Sequence, residues 1–207
     1  MLSEIQVPKS HYYNFNYNHK ARWITYHDQM RLLNKYGSKN VLEIGPGTGW
    51  MKRTIKDLGI TVKTVDIDPK LHPDYVASID SLPIKDGSFD TVCAFEVLEH
   101  LPFETFVKNI SEMARVSKKY IIFSVPNRGH ILLHVKFKIP FVKYKEFFVK
   151  IPTGEEHVFD GQHYWEIGKK GYTPKIVKDA IKEAGLTVLE SFVPTDTPSH
   201  HYFVVSK

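Results

Sequence analysis

Val41, Leu42 and Ile44 make a short apolar run, and three glycines follow it at alternate positions, Gly45, Gly47 and Gly49. Met51, Ile55 and Leu58 then recur at helical spacing. A strand, a glycine turn and a helix start form the phosphate- or nucleoside-binding corner of an open α/β sheet. Upstream, Trp23, Ile24, His27, Met30, Leu33 and Lys35 predict a helix from Lys20 to Tyr36, stopped by Gly37. Downstream, Thr61–Asp66 alternates as a strand, and Asp74–Ile79 reads as a third. Phe89–Phe95 is nearly all apolar, as a central parallel strand should be. Phe103, Phe106, Val107, Ile110, Met113 and Ala114 predict an amphipathic helix over 103–116, followed by a strand over 118–125. Thr173 and Pro174 open a last helix, with Thr173 as N-cap, and Gly185 stops it. Residues 186–193 and 200–206 read as two closing strands. The stretch 128–170 is a long insertion whose pattern fits helix and strand alike.

The 207 residues suit one domain over 1–207, with 1–36 as an N-terminal arm and helix and 128–170 as an insertion or lid. Composition is that of an ordinary globular chain, 42% hydrophobic and 25% charged. No apolar stretch approaches the ~20 residues of a membrane-spanning helix. The start of the chain, with Glu4, lacks an apolar signal core, so a cytoplasmic protein is expected. The single cysteine, Cys93, excludes an intramolecular disulfide and a cysteine zinc cluster. The formal charge of +5 is local: Arg128, Lys136, Lys138, Lys143, Lys145 and Lys150 face Glu146 alone over 128–150. An anionic partner is therefore expected near that segment. Residues 11–19 crowd His11, Tyr12, Tyr13, Phe15, Tyr17 and His19 together, as a surface arm or a flap over a cofactor.

Glycine spacing decides which nucleoside fits. The dinucleotide fingerprint is G-x-G-x-x-G, whereas here Trp50 stands in the last glycine's place. That weighs against a nicotinamide oxidoreductase. Asp66 closes the second strand about 20 residues after the glycines, where an acid accepts both ribose hydroxyl hydrogens. Asp68 precedes Pro69 and reads as a turn or cap.

Glu43-Ile44-Gly45-Pro46-Gly47-Thr48-Gly49 resembles the first motif of the class I S-adenosylmethionine-dependent methyltransferases, of the small-molecule, methyltransferase-11-like type. Asp80-Ser81-Leu82-Pro83 through Ser88-Phe89-Asp90 is similar to that family's D-x-x-x-L-P-F-x-D-x-S-F-D region, one residue short. Val97-Leu98-Glu99-His100 matches its V-L-E-H run after strand four. The resemblance implies an α/β, Rossmann-like fold: a seven-stranded, mostly parallel sheet flanked by helices, with the last strand antiparallel. It implies S-adenosylmethionine as cofactor, held by Glu43, Gly45, Gly47, Gly49, Asp66, Ile67, Asp80, Ser81 and Glu96. Asp80 would take the adenine amino group and Glu96 the cofactor amine or the substrate. His100 is the first candidate proton acceptor, with His157, His163 and Tyr164 of the insertion beside it. No metal is expected, since Glu155, Glu156, His157 and His163 have a spacing common on solvated loops.

The acceptor is expected to be a small molecule of anionic or lipid-like character, bound under a lid made by 128–165. Nucleic acid is disfavoured: amino-group nucleobase methyltransferases carry N/D-P-P-Y/F/W where this chain has Phe95-Glu96-Val97-Leu98. A fold that binds the cofactor without turnover is the other alternative. Oligomeric state is not legible.

Overall fold

The computed structural model describes residues 5–138, 140–141 and 144–207, so Glu4, Ile139 and Lys143 lie outside the described residues. Helix α1 spans Lys20–Lys35 and leads into β1, Asn40–Ile44. The glycine turn then enters α2, Trp50–Thr54, which tightens into a 3-10 turn over Ile55–Leu58. Strand β2 is Thr61–Asp66, β3 is Tyr75–Val76 and β4 is Phe89–Phe95. Helix α3, Phe106–Val116, precedes β5, Ser117–Pro126. Strands β6, His130–Phe137, and β7, Lys145–Ile151, come before α4, Pro174–Glu183. Strands β8, Thr187–Phe192, and β9, His200–Ser206, close the chain.

Seven strands form one sheet in the order β3-β2-β1-β4-β5-β9-β8. Every pair is parallel except β5 with β9 and β8 with β9, so β9 alone runs against the rest. This is the doubly wound, Rossmann-like sheet that the resemblance implied. The chain leaves β1 outward on one side to β2 and returns on the other to β4, which opens a crevice at the carboxyl ends of β1 and β4.

Strand alternation sends side chains to two cores. Leu42, Ile44, Val92, Ala94, Ile121 and Phe123 face Phe106, Ile110 and Met113 of α3, Val177 and Ile181 of α4, and Trp165. Val41, Val62, Cys93, Ile122 and Val204 face Leu32 and Leu33 of α1, with Met51 and Ile55. Cys93 is a buried thiol. The Thr173 hydroxyl accepts from Ile176 N, with Pro174 at the first helical position, as the sequence indicates.

Two elements differ from the sequence reading, and a third resolves what its pattern left open. The buried face of α1 is Thr25, Asp28, Gln29, Leu32 and Leu33, whereas Trp23 is 51% exposed. This helix covers the sheet with its leucines and the crevice with polar residues, so hydrophobic periodicity misreports its inner face. Strand β3 is only two residues long: it starts after Asp74, which Lys52, Lys63 and the Thr64 N–H and hydroxyl hold, and its pairing stops at Val76, opposite Asp66 at the end of β2. The insertion resolves as an antiparallel ribbon of β6 and β7 outside the main sheet, with His130 opposite Ile151 and Phe137 opposite Lys145.

Candidate functional site

A cavity of about 310 Å³ lies at the crevice. Glu43, Gly45, Pro46 and Gly47 line it from β1, and Asp66, Ile67 and Asp68 from β2. Phe95, Glu96, Val97, Glu99 and His100 come from the end of β4, Ser124 from β5, and His200 and Tyr202 from β9. Arg22, Thr25, Tyr26 and Gln29 of α1 form one wall. Gln6, His11, Tyr12 and Tyr17 of the N-terminal arm close the top.

The glycine turn is set by sterics. Gly45 has φ +68°, and a Cβ there would lie 2.5 Å from Val97 Cγ2. Gly47 has φ +51°, and its Cβ would stand 3.3 Å from the Tyr12 ring. Gly49 does not line the cavity; it is the N-cap of α2. Beneath the turn, Glu43 is buried with Oε2 unpartnered, and burial pushes its carboxyl up to about 8.

Asp66 Oδ1 accepts from Asp68 N at 2.9 Å, and burial raises its pKa. Asp68 accepts from Lys70 N at 2.9 Å and caps the 3-10 turn Pro69–Leu71. Asp80 and Ser81 do not reach the cavity. The chain turns after the short β3, so Ala77 and Ile79 face inward while Asp80 points out to Lys108 at 2.9 Å. An adenine contact from Asp80 is therefore corrected to an outward ion pair, and lining falls to Ala77 and Ile79.

Glu96 sits at φ +56°, a conformation that costs a non-glycine residue about 1–2 kcal/mol. Ser124 holds it there: the Ser124 hydroxyl donates to Glu96 Oε1 at 2.7 Å, and Glu96 N donates to Ser124 O at 3.0 Å. Glu99 is 0% exposed and neither carboxylate oxygen has a partner among the described residues. Burial, then Glu96 and Glu166, raise its pKa well above the ordinary range. His100 Nδ1 meets Gln6 Oε1 at 2.6 Å and Gln162 O at 3.1 Å. Burial and His163 push its pKa down to about 4, so the ring is neutral at pH 7.

Of the four catalytic candidates, His100 and His163 line the cavity and pack edge to face at 5.0 Å between ring centroids. His157 instead bonds through Nε2 to His163 O at 2.8 Å, outside the cavity. Tyr164 packs on Phe159 and is 38% exposed. Its N–H donates to Glu99 O at 2.8 Å, which, with Trp165 Nε1 on Leu98 O and Leu101 O, pins the 160s segment to the turn after β4. His163 Nδ1 meets Glu166 Oε1 at 2.7 Å, and Arg128 donates to Glu166 Oε2 at 2.7 Å. Burial opposes ionisation of Glu166, yet His163 and Arg128 hold its pKa down to about 2. Glu155 and Glu156 pair outward with Lys169 and Lys170, so they do not join His157 and His163 in one cluster.

The expected lid is also corrected. Among the described residues of the insertion, only Gln162 and His163 touch the cavity, and the β6–β7 ribbon stands off it. The arm is the cover. The basic residues of the insertion are largely engaged elsewhere: Lys136 pairs with Glu146 and Asp196, Arg128 with Glu166, and Lys150 donates to Pro198 O and Asn127 O. Sequence reading named the aromatic crowd at 11–19 but not Gln6, Arg22, Gln29 or Glu99 as cavity residues. A polar face on a helix flanking the glycine strand was the available signal.

Fold and glycine corner together define a class I methyltransferase fold. Residues 42–123 match the family model described as "Methyltransferase domain". The ubiquinone biosynthesis O-methyltransferase of Xanthomonas euvesicatoria pv. vesicatoria is 34% identical over 82 residues, covering 32% of this chain. The chain thus spans about a third, 34%, of the length of that curated relative. Among solved structures, the magnesium protoporphyrin IX methyltransferase of Synechocystis PCC 6803, with bound SAM, aligns with a TM-score of 0.61 at 15% identity, over 90% of this chain and 80% of its own. The 1,6-didemethyltoxoflavin-N1-methyltransferase of Burkholderia thailandensis, with its acceptor and S-adenosylhomocysteine, aligns at 0.58 and 13% identity, over 86% of this chain and 75% of its own. At such identities these two share the fold. Among the described residues, no helix is long and apolar enough to cross a membrane.

Proposed function

We propose that the chain is an S-adenosylmethionine-dependent methyltransferase acting on a small-molecule acceptor. The observation that carries this reading is the orphaned, buried Glu43 oxygen beneath the Gly45–Gly47 turn, with Asp66 at the neighbouring strand end. A buried carboxyl with one oxygen unpartnered suits the cofactor's ammonium, a turn that excludes side chains suits close approach of the nucleoside, and Asp66 suits the ribose hydroxyls. When bound, the cofactor supplies an electrophilic methyl group on sulfonium. The chain's own task is to hold, align and keep dry. The arm, through Tyr12 and Tyr17, excludes water from above. His100, neutral and with Nδ1 engaged by Gln6 and Gln162, leaves Nε2 free to accept a hydrogen bond from an acceptor hydroxyl.

A hydroxyl-bearing acceptor fits this wall better than an anionic or lipid-like one, since several basic residues of 128–150 are tied to protein partners away from the cavity. The unit acts as one domain over 1–207.

Calorimetry with S-adenosylhomocysteine tests the cofactor reading, and labelled-methyl transfer to a panel of phenols, amines and thiols tests the acceptor. Asp66→Ala is expected to weaken product-cofactor binding at least about tenfold, as loss of a charged hydrogen-bond acceptor implies. Unchanged affinity in the folded variant overturns the ribose role. Protection of the protein by NADH rather than by the methionine nucleosides favours the oxidoreductase alternative. Binding without transfer to any acceptor favours a module without turnover.

A further inference from the structure

Glu99, His100 and His163 can each bring one ligand atom within 4.8 Å of the other two. They meet on the cavity wall where the turn after β4 packs against the 160s segment. Each histidine has its Nδ1 held by an acceptor: His100 by Gln6 and Gln162, His163 by Glu166. Nε2 of both rings has no hydrogen-bond partner among the described residues. A histidine anchored through one nitrogen by a carboxylate or carbonyl, with the other free, is the arrangement that orients metal ligands. Glu166 is itself fixed by Arg128. The third member, Glu99, is fully buried with both oxygens unpartnered. A cation held by one of these oxygens and by the two imidazoles supplies the charge partner that the protein itself does not.

We propose that Glu99, His100 and His163 form a binding site for a divalent first-row transition-metal ion, zinc being the best match to two imidazoles and one carboxylate. Bonds of about 2.0–2.2 Å put tetrahedral ligands about 3.4 Å apart, so the three side chains close by no more than about 1.4 Å on binding. Three protein ligands leave a coordination position open, and all three residues line the cavity. The ligand class for that position is an oxygen donor, a hydroxyl or a pair of vicinal hydroxyls on the acceptor. That last role rests on the proposed methyl transfer, in which the bound ion would replace His100 Nε2 as the group that receives the acceptor hydroxyl; metal binding itself does not.

The test is zinc binding to the full chain, measured by competition with a chromogenic chelator and by metal content after dialysis. S-adenosylhomocysteine calorimetry runs in parallel on every sample. One equivalent of zinc is expected. Glu99→Gln, nearly isosteric, and His163→Ala are each expected to weaken zinc more than about a hundredfold, and Glu166→Gln by about ten- to a hundredfold. Far-ultraviolet circular dichroism and a cooperative thermal transition report that all three variants fold. Failure of the wild type to bind zinc while it binds the nucleoside overturns the metal site and leaves the cofactor reading standing. Zinc binding undiminished in Glu99→Gln and His163→Ala overturns the assignment to these residues. Zinc binding without nucleoside binding upholds the site and overturns the proposed function.

Discussion

Glu43 makes cofactor affinity a function of pH. Burial lifts its carboxyl from the ordinary 4.5 to about 8, with Arg53 opposing only weakly. At pH 6 about 1% of the free protein carries the anion, and at pH 8 about half does. The α-ammonium of S-adenosylhomocysteine, that of a free amino acid, stays charged over this range. If binding takes the anion and the ammonium together, affinity follows the Glu43 anion and rises on the order of tenfold or more from pH 6 to pH 8. Titration calorimetry with S-adenosylhomocysteine at half-unit pH steps reads this directly. Glu43→Gln should remove the acid limb, leaving an affinity that is flat up to pH 7. The same variant checks the sign on stability. The unfolded chain releases the Glu43 proton near 4.5 while the folded chain keeps it to about 8, so the wild type loses stability as pH rises through that window. Glutamine has no proton to lose, so the variant should gain on the wild type in thermal unfolding at pH 8 and not at pH 4.5. A wild-type affinity that is flat from pH 6 to 8, or a rise of equal slope in Glu43→Gln, refutes the assignment of the ammonium to Glu43.

Gly45→Ala should destabilise by about 2 kcal/mol or more in urea unfolding, from positive φ plus the Val97 contact. Gly59→Ala, with φ +72° but nothing within 4 Å of its Cβ, should cost only about 1 kcal/mol, and equal losses would show that sterics at Val97 are irrelevant. Removing residues 1–18 should speed dissociation of S-adenosylhomocysteine at least about tenfold in stopped flow, since Tyr12 and Tyr17 cover the cavity. Replacing 130–151 by a short glycine linker should leave that rate unchanged. The ends of the ribbon already meet at His130 and Ile151, so the gap closes easily. The reverse pattern would restore the lid to the insertion.

Local chemistry made the βα corner readable. Gly45 and Gly47 need positive φ, Asp66 ends an alternating strand, and Thr173-Pro174 can only begin a helix; each signal lies within a few residues. Elements whose inner face meets a cavity rather than a core were misread for one physical reason. Thr25 and Gln29 of α1 are buried because they face a polar crevice, and hydrophobic periodicity assumes that what is buried is apolar. Asp80 failed for another: its position in the motif fixed its distance along the chain, while the two-residue β3 turned it outward. The cover was the hardest to see. Gln6 donates to His100 O across 94 residues, and no local pattern at either end encodes that meeting. A long, basic, aromatic insertion offers the composition of a lid, but a ribbon anchored at its base by Lys150 on Pro198 O leads away from the cavity. The arm is instead held over the crevice, by Gln6 on His100 and by Arg22 over the Tyr17 ring. The site's histidines are therefore held from two distant parts of the chain: His100 by the arm, His163 by the Arg128–Glu166 pair. Spacing alone names such histidines without bringing them together. Only the sheet order, which puts the end of β4 beside β5 and the segment that follows it, makes Glu99, His100 and His163 one group.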